Sequence, residues 1–541
     1  MTRIGDRNNR LIGLAAHQPH LTRRGFGGSL FGGSLLATAL ATALATGGAG
    51  TILSPSPAVA APKRGGTLRI ALASQSTNDT FNSARYIYGN DYIRGTSVYS
   101  YLTRLGENGE AEPQVALSWE PNPSATRWTF KIRPGIVFSD GSPLTLDDIV
   151  FSILRHKDEK VASSARQLVG NIQSVTKGGT DTIVIDLATP DVDLPVLIGI
   201  FQFALVKDGT TDFANPLGTG PFVMTEFKPG IRTVMSRNDR YWQEGRPYLD
   251  RIEMFTIIDN SARANALLSG DADMISELRG SSIEEVRKST NASVFETPST
   301  RYTSFQPALD RAPSNNHDLV LAMTYLIDRK RALDTILRGY GTIANDTPIG
   351  PNSAYFNREL AQRGLDPDKA KFHVGKSGIG NTKIEVSVSD AVIYSLDMGQ
   401  LLQREASRIG LNIDLRREPA DSYWNAVAGK RPFFAANFHP RPTYNMLLNL
   451  SWRSGAAWNF SHYNNPKLDQ LIDDGRATLD QAKRKQIYND IQAILYGTGA
   501  LFIPCFLNYV DGISKKVNGL PQVPIGNFGG FNFSDRAWLE S

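Results

Sequence analysis

The segment at residues 126–154, TRWTFKIRPGIVFSDGSPLTLDDIVFSIL, decides the fold of this chain. Its first part alternates apolar and polar side chains over residues 126–132, which predicts a strand with one buried face. Turn-forming residues follow, and Thr145 and Asp148 then have the spacing of a capping box at the start of a helix. A strand, a turn and a helix in this order predict one unit of a mixed α/β fold.

The same patterns continue on both sides of this segment. The predicted strands are residues 67–72, 182–187, 222–227, 251–257, 383–389 and 411–416, and the predicted helices are residues 260–268, 317–338, 395–409, 466–474 and 480–496. No long linker separates these elements. We therefore expect the parts of the molecule to be joined by strands that cross between them, near residues 300–303 and 499–506.

Length, charge and cysteine content exclude several classes of protein. The chain has 541 residues, 41% of them apolar, which is enough for two or more parts with their own cores. The net charge is +5, but residues 1–60 carry +4 of it, so the remainder lacks the basic surface of a nucleic-acid-binding protein. The single cysteine, Cys505, lies in an apolar run, which predicts a buried structural thiol.

The first sixty residues have the pattern of an export signal. The motif RRGF at residues 23–26 resembles a twin-arginine signal, and a weakly hydrophobic stretch rich in Gly and Ala follows it. The sequence AVA at residues 58–60 offers a cleavage site. We predict that residues 1–60 are removed and that the mature protein is periplasmic. An uncleaved membrane anchor is the alternative, which the Gly, Thr and Pro content disfavours.

Several blocks of sequence occur in the order of a known family. The blocks are ALSWE at residues 116–120, WTFKIRPG at 128–135, FSDG at 138–141, DDIVFS at 147–152, GTGPF at 218–222, RNDRYW at 237–242, ALLSGDAD at 266–273 and LIDR at 326–329. Together they resemble the extracellular solute-binding proteins of the peptide and nickel class, family 5, which serve ABC importers. The resemblance covers nearly all of residues 65–520.

The resemblance implies a fold and a division of the chain. The fold is α/β and two-lobed, of the periplasmic binding protein type II, cluster C, with a small extra subdomain in the first lobe. Residues 63–300 would form the first lobe, residues 301–499 the second, and residues 500–541 would return to the first. The implied mechanism is hinge closure, in which a ligand that contacts both lobes stabilises the closed state.

The resemblance also implies a function. We expect the periplasmic substrate-binding component of an ABC transporter, which captures a dipeptide or oligopeptide and delivers it to a membrane permease driven by ATPase subunits. We expect a monomer, not an enzyme, with no cofactor, no metal site and no nucleic-acid partner. Three alternatives stay open: import of a non-peptide acidic solute such as an opine, a cargo chaperone or sensory partner, and a secreted hydrolase with His439 or His462 as its base.

The aromatic-rich segment at residues 423–463 is the candidate ligand site, because recognition residues lie in loops around clefts. Peptide-binding relatives carry an aspartate here that pairs with the ligand's α-ammonium group, whereas this chain has no carboxylate between Asp421 and Asp469. Arg441 is either a bidentate anchor for a ligand carboxylate or a surface arginine between two prolines. The candidate ligand-binding residues are Tyr86, Phe438, His439, Arg441, Trp452, Trp458 and Asn459.

Overall fold

A computed structural model of the protein describes residues 61–74 and 76–540. The predicted export signal at residues 1–60 lies outside the described residues, so its cleavage and its twin-arginine character stay predictions. Over the described ranges, no helix combines the length and the apolar character needed to cross a membrane.

The strands of the described chain form one large sheet and three small ones. Their bounds are β1 (Thr67–Leu72), β2 (Thr103–Leu105), β3 (Ala111–Pro113), β4 (Ala116–Pro121), β5 (Arg127–Ile132), β6 (Ile172–Lys177), β7 (Thr182–Leu187), β8 (Phe222–Lys228), β9 (Arg232–Arg237), β10 (Arg251–Thr256), β11 (Met274–Ile275), β12 (Ala292–Pro307), β13 (Gly341–Ile343), β14 (Ile384–Val388), β15 (Ile413–Arg417), β16 (Phe433–Phe438), β17 (Cys505–Ser514), β18 (Val517–Asn518) and β19 (Trp538–Leu539).

Helices cover the sheets and connect their strands. Their bounds are α1 (Gly89–Val98), α2 (Leu146–Leu154), α3 (Leu194–Leu197), α4 (Asn260–Ser269), α5 (Ser281–Arg287), α6 (His317–Tyr325), α7 (Arg329–Arg331), α8 (Pro367–Ser377), α9 (Ser395–Arg408), α10 (Tyr423–Ala426), α11 (Tyr444–Ser451), α12 (Pro466–Ala477), α13 (Gln481–Thr498) and α14 (Asn527–Gly530).

Two long antiparallel strands cross the middle of the large sheet. Its order is β15-β14-β16-β12-β17-β11-β1-β10-β9-β8, and β13 also pairs with β17. The 16-residue strand β12 pairs with β17 along most of its length and with β16 along its second half. Residues 300–303, where a crossing between lobes is predicted, lie within β12, and this strand is longer than expected. The crossing between lobes itself stays a prediction. The second crossing strand, β17, begins only at Cys505, at the end of the predicted span.

Three of the apolar cores in the described residues matter for function. The first core contains residues from 68–101, 204–274 and 517–537 and packs on the β1 side of the crossing strands. The second core contains residues from 302–507 and packs on the β14 side. The third core, within residues 102–205, covers the separate sheet of order β4-β5-β7-β6. The predicted lobe boundaries themselves stay predictions.

The segment that decides the fold lies in the third core. In β5, Trp128, Phe130 and Ile132 are buried while the residues between them are less so, as the alternation predicted. The capping box is also confirmed: the Asp148 N–H donates to the Thr145 hydroxyl at 3.3 Å, and the Thr145 N–H donates to the Asp148 carboxylate at 2.6 Å. Local signals therefore fix this strand-turn-helix unit.

The other predicted strands and helices are confirmed to within a few residues, with one exception. The single helix predicted over residues 317–338 is wrong, since α6 ends at Tyr325. The Asp328 side chain accepts the Arg331 N–H and starts a new turn, α7, which continues as a π-helical turn at Ala332–Ile336. A capping aspartate inside an apolar pattern divides the helix.

The predicted buried thiol is confirmed. Cys505 is fully buried at the start of β17, and its thiol lies 3.4 Å from the Arg329 carbonyl oxygen. Burial raises the pKa of the Cys505 thiol to about 12, so the sulfur stays protonated and unreactive at neutral pH.

Candidate functional site

The loop that carries His439 and Arg441 begins where β16 ends. Strand β16 is buried among the strands of the second core, and β14 runs parallel to it. Pro440 and Pro442 cannot donate to a strand ladder, so the chain leaves the sheet here. Thr443 then caps α11 by accepting the Met446 N–H at 3.1 Å. The carboxyl ends of parallel strands are where α/β folds usually place their ligands.

Arg441 presents a half-buried guanidinium group with no carboxylate partner among the described residues. Its Cζ atom lies 5.2 Å from the centroid of the Trp458 ring, and Nη1 makes a long 3.5 Å contact with the Pro440 carbonyl oxygen. The partial loss of hydration lowers the pKa of Arg441. A guanidinium group in this state gains most from an anionic partner, because charge-assisted hydrogen bonds are strong where water is scarce.

Three tyrosines from distant parts of the chain lie within electrostatic reach of Arg441. They are Tyr92 of α1, Tyr302 of β12 and Tyr509 of β17. Burial raises the pKa of each phenol, and the positive charge of Arg441 opposes that rise. The Tyr302 hydroxyl is buried without a well-directed hydrogen bond. Because Tyr92 borders the first core and Arg441 follows a strand of the second, the site is assembled from both.

A second arginine and a neutral histidine lie beside this group. The Arg301 guanidinium stacks 4.6 Å from the Tyr509 ring centroid, and its Nε is buried without a partner. His439 is an exposed residue directly after β16. Poor hydration and the charges of Arg301 and Arg441 together lower the pKa of His439 to about 4, against the effect of Glu277. The imidazole is therefore neutral at pH 7.

A cavity of about 520 Å³ lies against the crossing strands. Arg301 and Tyr509 line it, so it adjoins the surroundings of Arg441 and His439. Three other lining residues, Glu277, Arg338 and Tyr394, have left-handed backbone angles with φ of 55°, 53° and 58°. Residues other than glycine rarely adopt this conformation, and such strain concentrates at functional sites.

Tyr92 belongs to an aromatic wall on the side of the first core. The rings of Tyr92 and Phe201 stack with centroids 4.4 Å apart, and the Phe531 ring lies 5.5 Å from Tyr92. Phe531 fits because glycine occupies position 526, where a Cβ would come within 1.9 Å of its ring. Of these rings, Tyr92 lies within electrostatic reach of Arg441.

The structure brings three of the predicted site residues together, namely His439, Arg441 and Trp458, whose indole is 40% exposed. The other four are buried: Tyr86, Phe438, Trp452 and Asn459. The Tyr86 hydroxyl donates to the Phe81 carbonyl, and the Asn459 amide donates to the Arg453 and Tyr463 carbonyls. A role of these four in contacting the solute stays a prediction.

Sequence reasoning did not single out four residues that lie within electrostatic reach of Arg441 or His439. They are Tyr92, Arg301, Tyr302 and Tyr509. Each comes from a segment far from residues 423–463, and none belongs to a motif with its own chemical meaning. One signal in the sequence could have pointed to Arg301, because this residue lies in the segment predicted to cross between the two lobes.

The described residues contain no arrangement for metal or nucleophilic chemistry at this site. No group of three or more His, Cys, Asp or Glu side chains in the described chain could hold a metal ion. The His462 ring pairs with Asp310 at 2.9 Å, and within the described ranges no serine or cysteine hydrogen-bonds to His462 or His439.

The architecture matches solved structures of periplasmic binding proteins. AgaA from A. tumefaciens R10, in complex with agropinic acid, matches with a TM-score of 0.71 at 22% identity over 88% of this chain and 99% of that one. DppA from Helicobacter pylori, in complex with the peptide STSA, gives a TM-score of 0.73 at 20% identity over 88% and 99%. The class is therefore that of the mixed α/β periplasmic binding proteins, which confirms the predicted fold class.

Sequence comparison identifies the family within this class. The model of the bacterial extracellular solute-binding proteins, family 5 (middle region), matches residues 110–459, and the chain belongs to this family. Heme-binding protein A of Haemophilus influenzae is 24% identical over 82% of this chain and 88% of its own length. The chain is thus the substrate-binding protein of an ABC transporter, periplasmic or extracellular, which binds a small solute and is not an enzyme.

Proposed function

We propose that this protein captures a small solute with an acidic group, holds that group at Arg441 and delivers the solute to the membrane permease of its transporter. The observation that carries the proposal is the half-buried Arg441 guanidinium, which has no carboxylate partner in the described chain. A bidentate pair with a carboxylate would supply that partner. Arg301 and neutral His439 add N–H donors and a second positive charge beside it.

A peptide bound through its C-terminal carboxylate is the first candidate. The relative from Helicobacter pylori binds a peptide, and the apolar wall of Tyr92, Phe201 and Phe531 would accept side chains. A non-peptide acid such as an opine is the second candidate. It is favoured by the lack of any carboxylate between Asp421 and Asp469 that could pair with a free ammonium group, and the relative AgaA binds agropinic acid.

The solute would be captured because it makes more contacts with the closed arrangement of the protein than with the open one. The solute would touch Tyr92 on the side of the first core and Arg441 on the side of the second, so it would bind the closed arrangement better than an open one. The crossing strands β12 and β17 would be the hinge, and the closed form would dock on the permease. We propose that the protein acts in the periplasm as a monomer.

Thermal unfolding against a panel of solutes tests this proposal. The panel contains dipeptides, oligopeptides, opines, sugars and nickel chelates, and a ligand at 100 times its dissociation constant adds about 2.7 kcal/mol of stability. We expect acidic members to raise the melting temperature of the wild type but not of Arg441→Ala. Arg417→Ala, which removes an exposed arginine of β15, is the matched control and should respond like the wild type. An equal response of Arg441→Ala would remove Arg441 from the site.

A further inference from the structure

The two sides of the molecule also meet at a polar contact made by other residues than those around Arg441. The loop after β7, residues 189–193, approaches helices α12 and α13. The Val192 N–H donates to the Arg476 carbonyl oxygen at 2.9 Å, and Arg476 Nε donates to the Pro190 carbonyl oxygen at 3.1 Å. The Arg476 guanidinium also contacts the Thr189 hydroxyl.

A buried ion pair completes this contact. Arg484 Nη2 of α13 donates to Asp193 Oδ1 at 2.5 Å, and both side chains are only 8% exposed. The rest of the Arg484 guanidinium is held from its own side, since Nε donates to the Gly475 carbonyl oxygen at 2.8 Å and Nη1 to the Tyr355 hydroxyl at 3.2 Å. The arginine is therefore preorganised to meet one carboxylate. We call residues 189–193 with Arg476 and Arg484 the clasp.

The two surfaces that the clasp joins have separate apolar cores. Leu187 and Leu194 flank the loop and belong to the third core, whereas Leu471 and Tyr488, near Arg476 and Arg484, belong to the second. Because hydrogen bonds and an ion pair hold this contact, it can separate with little exposure of apolar core. Separated charges regain hydration, which makes such a pair reversible in a way that a merged core is not.

We propose that the clasp forms when the cleft closes and stabilises the closed arrangement independently of the solute. The proposal rests on the hinge closure that belongs to the proposed function. A contact that forms only in the closed state shifts the equilibrium between open and closed states toward the closed one, by an amount set by the free energy of that contact. The clasp residues are not among those around Arg441. Loosening the clasp therefore weakens the binding of every solute by the same factor, whereas changing Arg441 weakens the binding of acidic solutes alone.

A distance measurement without any solute tests the clasp. Spin labels on Lys160→Cys and Lys485→Cys report the separation of the two surfaces, because both lysines are exposed and lie on opposite sides of the contact. The buried Cys505 thiol, with its raised pKa, stays unlabelled. We expect a short-distance population in the mature wild type, and we expect Arg484→Gln to reduce the ratio of short to long distances about tenfold.

Two further variants make the outcome decisive. The double variant Asp193→Asn with Arg484→Gln leaves no unpaired buried charge, so it keeps the fold and should lose the short distance to the same degree. Arg441→Ala should keep the short distance while it loses acidic solutes, which separates failure of the clasp from failure of the proposed function. A wild type without the short population, or a double variant that retains it, would overturn the proposal.

Discussion

Two arginines, Arg441 and Arg484, lie where the two sides of the molecule meet, and they differ in what they bind. Arg484 is buried and paired with Asp193, and three other protein groups hold its N–H donors. Arg441 is half-buried and has no carboxylate partner in the described chain, although aromatic rings surround it. One arginine has its anion built into the chain, while the other leaves room for an anion from solution. Sequence alone pointed to Arg441 as a candidate and gave no sign that Arg484 is paired.

The largest effect is expected from reversing the charge of the unpaired arginine. Arg441→Glu places a carboxylate opposite the acidic group of the solute, so attraction becomes repulsion. We expect binding of an acidic solute to weaken at least 100-fold by calorimetric titration, whereas a solute that carries only a free amine should lose no affinity. Equal losses for both solutes would mean that the residue shapes the cleft without recognising charge.

The paired arginine should instead affect stability. Removal of Arg484 alone leaves Asp193 charged and unpartnered, which should lower the free energy of unfolding by about 3 kcal/mol. The double variant Asp193→Asn with Arg484→Gln should cost about 1 kcal/mol, because no charge is left unpaired. Denaturant titration measures both values.

Arg453→Gln is the control for this pair, since its partner Asp473 is exposed and the expected change is below about 0.5 kcal/mol. If the single Arg484 variant costs no more than this surface control, the pair does not hold the two sides together.

A pH dependence is expected from Asp191, which belongs to the clasp. Burial raises the pKa of Asp191 to about 7, with the Asp193 charge adding to the effect and Arg476 and Arg484 opposing it. Between about pH 4 and pH 7 the folded protein keeps a proton that the unfolded chain has released. Stability should therefore fall as the pH rises through this window, by up to ~1.4 kcal/mol per pH unit from this group.

Asp191→Asn removes this titration and tests its origin. Its stability should be less dependent on pH between pH 4 and pH 7 than that of the wild type, as measured by urea titration at several pH values. Identical slopes in the two proteins would assign the pH dependence to other groups.

The smallest effect is expected at the ring beside the unpaired arginine. Trp458→Ala removes the cation–π contact, 5.2 Å long, that holds the Arg441 side chain in place. The binding of an acidic solute should weaken about threefold as a result. Trp424→Ala is the matched control, because this indole is similarly exposed and makes an edge-to-face contact with Tyr423 rather than a contact with an arginine. A larger loss in the control would place the solute elsewhere.

Local sequence signals predicted the elements that have one buried face. Strand β5 and helix α2 follow from alternation and a capping box, and both are observed. The length of β12 was not predictable, because its last six residues are all buried and show no alternation, and a bulge interrupts its pairing between Thr297 and Arg301. Helix α1 was not predicted either. Its buried face includes the ion pair of Asp91 and Arg94, so its sequence lacks the apolar periodicity of a helix with a buried face.

The candidate site could be predicted only in part. The loop at residues 439–442 has prolines, an arginine and nearby aromatic residues, all of which are visible in the sequence. The clasp has no such signature, because Asp193 and Arg484 are 291 residues apart and each resembles an ordinary surface charge. Pairing between distant charges depends on the tertiary fold, which periodicity and spacing do not encode.

The most direct test of the central claim compares one solute with its amide. A peptide or opine that stabilises the wild type is titrated calorimetrically as the acid and as the carboxamide, on the wild type and on Arg441→Ala. We expect the wild type to prefer the acid at least tenfold and the variant to bind both forms equally. A wild type that binds acid and amide alike, or an Arg441→Ala variant that keeps the preference, would contradict the account.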